Sequence, residues 1–111
     1  MKIKDIISKN YSEFKSLFQD HHVSYLYAFG SSTDDRFDHE KSDFDFLVEI
    51  DVSDPIEKGE KLLLLWDTFE KLFNRRVDLL TENSIRNPCL RKNIDATQIL
   101  IYDRNGSEIS N

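Results

Sequence analysis

Three carboxylates and one glycine–serine pair are the residues whose types and order could do chemistry in this 111-residue chain. Asp43 and Asp45 open the run Asp43-Phe44-Asp45-Phe46-Leu47-Val48-Glu49-Ile50, whose alternation predicts a strand. Two residues apart on a strand, the two carboxylates project side by side from one face. Carboxylates held that close repel each other, and a divalent cation between them relieves the repulsion. Hard ions such as Mg²⁺ suit such a pair, because they take carboxylate oxygens together with substrate phosphates. Gly30-Ser31 follows directly on Val23-Ser24-Tyr25-Leu26-Tyr27-Ala28-Phe29, a run of β-formers that reads as a buried strand. Glycine lets the backbone turn sharply and approach a ligand, and exposed amides after such a turn suit phosphate oxygens. Asp78 sits inside the apolar run Val77-Asp78-Leu79-Leu80, where a carboxylate needs a partner.

Each feature also has a plainer reading. An Asp-x-Asp pair can line the solvated face of an edge strand, and Gly-Ser after a strand is usually a turn. Asp78 can pair with an arginine at a strand end, or it can join Asp43 and Asp45 as general base for an attacking hydroxyl. Their order along the chain and their places at a strand end and a strand start favour the chemical reading.

The elements that must hold these residues are legible from periodicity. Ile3, Ile6, Ile7, Tyr11, Phe14, Leu17 and Phe18 recur at helical steps, predicting one helix to about Gln19, with His21-His22 at its end. Residues 31–42 read as a polar, acidic loop with a short helical turn. Asp54-Pro55 starts a second helix, with Asp as N-cap and Pro at the first helical position, running to about Phe73. Trp66, Phe69, Leu72 and Phe73 read as that helix's core side, with a partner-binding face as the alternative. Arg76–Leu80 is a short strand, Ser84–Arg86 and Pro88–Ile94 are short helical pieces, and Thr97–Tyr102 is a last strand. Helices alternating with strands give an α+β (α/β-like) domain with a small mixed sheet flanked by helices. A single domain over residues 1–104 with a loose tail at 105–111 is the expected organisation.

Composition narrows the function. Hydrophobic residues make up 39% of the chain and charged residues 32%, an ordinary globular balance. The net charge of −6 disfavours direct nucleic-acid binding, which depends on basic groups displacing counterions. Cys89 is the single cysteine, so no disulfide forms within the chain. No apolar run exceeds five residues, far short of a membrane span, and the N-terminus lacks the apolar stretch of a signal peptide. The expected compartment is the cytoplasm.

Phe29-Gly30-Ser31, then eleven residues, then Asp43-Phe44-Asp45-Phe46-Leu47-Val48 resembles the signature of the DNA polymerase β-like nucleotidyltransferase superfamily. More closely, the chain is similar to its minimal nucleotidyltransferase branch, the MntA-type antitoxins that accompany HEPN-domain (HepT-like) toxins. The likeness extends over nearly the whole chain, through Asp78 to Asn87-Pro88 and Ile101-Tyr102. The resemblance implies a nucleotidyltransferase fold, with Asp43, Asp45 and Asp78 as catalytic and metal-binding triad for one or two Mg²⁺. It implies that Gly30 and Ser31 hold the triphosphate of ATP, and Arg36 stands where a basic phosphate contact is expected. It further implies AMP transfer to a tyrosine hydroxyl of a HEPN-type toxin, which silences it. The segment from Ser32 to Ser42 departs from the commoner pattern, being one residue longer and acidic at Asp34, Asp35 and Asp38. A rival reading keeps the fold without turnover: a binding module that neutralises a basic partner by direct contact.

Overall fold

The computed structural model describes residues 3–30 and 44–105. In chain order these form α1 (Ile3–Lys9), α2 (Tyr11–Asp20), β1 (Val23–Phe29), β2 (Phe44–Ile50) and α3 (Pro55–Phe73). There follow β3 (Val77–Leu80), a 3₁₀ turn (Glu82–Ser84), α4 (Pro88–Thr97) and β4 (Ile99–Asp103). The four described strands make one sheet in the order β3-β2-β1-β4. β1 runs antiparallel to both β2 and β4, whereas β2 and β3 are parallel and joined through α3. The expected α+β class with a small mixed sheet flanked by helices is therefore borne out.

The alternation read in β2 sorts its side chains as expected. Phe44, Phe46, Val48 and Ile50 enter the main core with Leu26, Ala28, Val77, Leu79 and Ile101 from the other strands. Ile7, Phe14, Phe18, Leu65 and Phe69 cover them from α1, α2 and α3. Aromatic rings fill this face: Phe46 lies 5.1 Å from Phe69, Phe44 lies 4.8 Å from Phe73, and Phe14 stacks on Phe73 at 5.6 Å. The opposite face is smaller, with Phe29, Leu47 and the α4 residue Ile94 buried together.

α3 begins and ends where capping chemistry dictates. The Asp54 carboxylate accepts from the Glu57 N–H at 3.4 Å, and Asn74 takes the left-handed conformation at the far end, φ 53°. Trp66 and Glu70 have a further task. The Trp66 Nε1–H donates to the Val77 carbonyl at 2.6 Å, and the Glu70 carboxylate accepts from the Val77 N–H at 3.2 Å. Val77 opens β3, an edge strand, so α3 occupies edge groups that would otherwise invite another chain.

Three boundaries differ from the periodicity. The first helix breaks at Asn10 (φ −121°, ψ 34°), whose side-chain amide donates to the Ile6 carbonyl at 3.3 Å. Asparagine offers the backbone such local alternatives, and the apolar face simply resumes in α2. The short helical piece after β3 forms at Glu82–Ser84 rather than Ser84–Arg86, closed by the Ser84 hydroxyl, which accepts from the Thr81 N–H and donates to the Thr81 carbonyl. Thr97, expected in the last strand, is instead the last residue of α4, and β4 starts at Ile99. The Thr97 hydroxyl donates to the Asn93 carbonyl at 2.7 Å, a contact available only while the chain stays helical. The expected loop at 31–42 and the expected tail beyond Asn105 lie outside the described residues.

Candidate active site

The parallel register of β2 and β3 sets Asp45 directly beside Asp78. Adjacent strands lie about 4.8 Å apart, so the two carboxylates leave the sheet as close neighbours. Both point away from the aromatic core, because Phe44, Phe46, Val77 and Leu79 on either side of them are buried in it. Asp45 is half-buried and Asp78 exposed. The Arg75 guanidinium lies over the Phe44 ring, 5.1 Å from the centroid. Four residues further along β2, Glu49 accepts from Lys58 at 2.7 Å, a structural ion pair outside the aspartate pair.

β1 delivers the third element. Phe29 is the register partner of Asp45, so the next residue, Gly30, begins beside the Asp45 carboxylate. Gly30 has φ +78°, a region that L side chains rarely adopt. A Cβ built on it would stand 2.7 Å from Asp45 Oδ2. The glycine is thus required twice, for the turn and for the space the carboxylate occupies. Its own N–H is turned inward and donates to the Thr97 hydroxyl at 2.9 Å.

Of the residues singled out in the sequence, Gly30, Asp45 and Asp78 are brought together. Ser31, Arg36 and Asp43 lie outside the described residues, as do Asp34, Asp35 and Asp38. Among the described residues no three His, Cys, Asp or Glu side chains converge as a metal site. Two aspartates on one face beside a gap that only glycine leaves open are nevertheless a fitting donor set for a hard divalent cation. His21 bonds through Nδ1 to the Leu17 carbonyl at 3.0 Å at the end of α2. Thr97 is the site residue that sequence reasoning missed. It lies 67 positions from Gly30, and no local pattern marks it.

The same face carries Tyr25 and Tyr27, with their rings edge-to-face at 5.7 Å. The Tyr25 phenol is held above its ordinary range, first by burial and then by the negative charges of Glu82 and Glu49. Arg91 on α4 bridges Glu82 at 2.7 Å and Asp95 at 2.9 Å, which fixes that helix over the face. It belongs to the late basic group Arg86, Arg91 and Lys92, whose other two members are exposed.

The polymerase beta nucleotidyltransferase family model matches residues 12–107. The chain belongs to that family. It is a nucleotidyltransferase. Among its relatives is a candidate protein adenylyltransferase of Methanocaldococcus jannaschii, 33% identical over 91% of this chain and 94% of its own length. A second candidate protein adenylyltransferase of that organism is 36% identical over 90% of this chain and 95% of its own. Solved structures share the fold. A candidate minimal nucleotidyltransferase has a TM-score of 0.60 at 24% identity, covering 91% of this chain and 97% of its own. An MNT antitoxin in complex with tri-AMPylated Shewanella oneidensis HEPN toxin has a TM-score of 0.52 at 21% identity, covering 88% and 73%. Gly30 and Asp45 both lie within that match, and the fold places them in contact range. No described helix is long and apolar enough to cross a membrane.

Proposed function

We propose that this nucleotidyltransferase moves AMP, or another nucleoside monophosphate, from a triphosphate to a tyrosine hydroxyl of a HEPN-type toxin and so acts as its antitoxin. The observation that carries the reading is Asp45 beside Asp78 with the Gly30 turn against the Asp45 carboxylate. Relatives that bear the name protein adenylyltransferase support AMP as the group transferred. The fold shared with an antitoxin bound to an AMPylated HEPN toxin supports the acceptor.

In this reading Asp43, Asp45 and Asp78 would hold one or two Mg²⁺ ions, while Gly30, Ser31 and Arg36 would receive the triphosphate. A bound divalent ion would supply charge neutralisation for the phosphates at the reacting centre. The acceptor hydroxyl attacks the α-phosphorus, the bond to the β-phosphate bridging oxygen breaks, and pyrophosphate leaves. Asp78 takes the proton of the attacking hydroxyl. Its exposure suits this task, since a side chain of another protein must reach it. Asp45, half-buried against Gly30, is held in place and suits a ligand role.

The test is mass spectrometry of the co-expressed HEPN-type partner after incubation with ATP and Mg²⁺. The expected result is a gain in whole AMP units on a tyrosine, abolished by chelation. Neutralisation of the partner with no mass gain would replace this reading with the binding-module alternative, for which the net charge of −6 is the favouring observation.

A further inference from the structure

We infer that Thr97 is a positioning residue for nucleotide binding, acting through Gly30; the inference rests on reading Gly30 and Asp45 as the reaction site. A threonine hydroxyl carries one proton. The Asn93 carbonyl can only accept, so that proton goes to it, at 2.7 Å. The Gly30 N–H can only donate, so it donates to the Thr97 oxygen, at 2.9 Å. The direction of both bonds is therefore fixed, and the run from Gly30 N–H through Thr97 O–H to the Asn93 carbonyl is a chain in which each bond polarises the next.

What this chain holds is the residue with the least freedom in the site. Gly30 is buried, has φ +78°, and leaves room at its α-carbon for the Asp45 carboxylate. Without Thr97 the Gly30 N–H would lose this bond, and a buried amide deprived of an acceptor tends to move towards another one. Any such movement shifts the neighbour of the Asp45 carboxylate.

The anchor itself is firm. α4 is N-capped by Asn87, whose side chain accepts from the Cys89 N–H at 2.8 Å, and Pro88 fills its first position. Ile94, three residues before Thr97, is fully buried against Phe29 and Leu47. Thus α4 grips the end of β1 at two consecutive residues, Phe29 by packing and Gly30 by a hydrogen bond. Thr97 touches no reacting atom in this account. Its effect passes through the glycine.

The test compares Thr97→Val, which keeps the shape and removes the acceptor, with Thr97→Ser, which restores it. AMP transfer is measured over a range of Mg²⁺·ATP concentrations. Thr97→Val is expected to raise KM for the nucleotide about tenfold with kcat changed much less, and Thr97→Ser to return KM to near the wild-type value. A merely structural role would lower the melting temperature and the active fraction, hence kcat, and leave KM unchanged. An unchanged KM in Thr97→Val overturns the inference. Should that variant not fold, hydrogen exchange at the Gly30 amide of the wild-type protein decides: strong protection supports the bond to Thr97, and fast exchange overturns it. An Asp45→Asn control keeps the two claims apart, because transfer surviving there refutes the site itself whatever Thr97 does.

Discussion

Asp45 and Phe46 are consecutive in β2 and serve opposite faces of one sheet. Phe46 is fully buried among Phe44, Phe69 and Phe73, with ring centroids 5.1–6.4 Å away. Asp45 emerges on the other side, beside Asp78 and against Gly30. Among the described residues the aromatic face is covered by three helices and the other by α4 and the 3₁₀ turn, and Asp45 and Asp78 leave the sheet on the second. Stability and chemistry are thus divided by the pleat rather than by distance along the chain. A small sheet can concentrate its apolar area on one side and keep repelling carboxylates together on the other.

That division can be broken from either side. Phe46→Ala should carry the largest stability cost, about 3–5 kcal/mol from lost burial and the cavity left behind, read as a lower urea midpoint. Stability for small domains is commonly about 5–15 kcal/mol, so this variant should be partly unfolded under assay conditions. Gly30→Ala tests the contact between β1 and Asp45. With φ +78° and the added Cβ 2.7 Å from a carboxylate oxygen, it should cost about 1–3 kcal/mol and lower AMP transfer at least about tenfold. Transfer at the wild-type rate would show that the close approach does not matter. On the covered side, Trp66→Phe removes the bond to the Val77 carbonyl and should cost about 1–2 kcal/mol while leaving KM for the nucleotide unchanged.

The smallest effect concerns pH and belongs to the site face. The folded-state pKa of Tyr25 is raised above 10.0 by burial and by Glu82 and Glu49. Its contribution to stability is therefore fully present below the unfolded value and is lost as pH rises through the folded one. Denaturant midpoints should fall more slowly above pH 10 in Tyr25→Phe than in wild type. Equal slopes would show that neither burial nor the acidic neighbours raise this phenol.

Local patterns in the sequence already mark much of this arrangement. Alternation in β2 separated Asp45 from Phe46, and Asp54-Pro55 placed the start of α3. Asp78 was noticeable because a carboxylate interrupts an apolar run. Other features depend on tertiary partners and leave no local mark. The pairing of Asp45 with Asp78 requires the parallel register that α3 creates between two strands of unrelated sequence. Thr97 resembled a strand residue by propensity, being β-branched, and only the Asn93 carbonyl and the Gly30 amide reveal its use. Trp66 was legible as a packed residue, but its donor role needed the edge strand beside it. The Asn10 break was hidden because the apolar period continues across it.

In this division of labour the face bearing Asp45 performs nucleotidyl transfer while the opposite face carries the fold. It is tested most directly with Asp45→Asn, by following α-phosphate-labelled ATP onto the partner protein alongside the melting temperature. The account predicts transfer lowered about 100-fold or more, with a melting temperature at or above that of wild type as carboxylate repulsion is relieved. Transfer at the wild-type rate by the folded variant would contradict it.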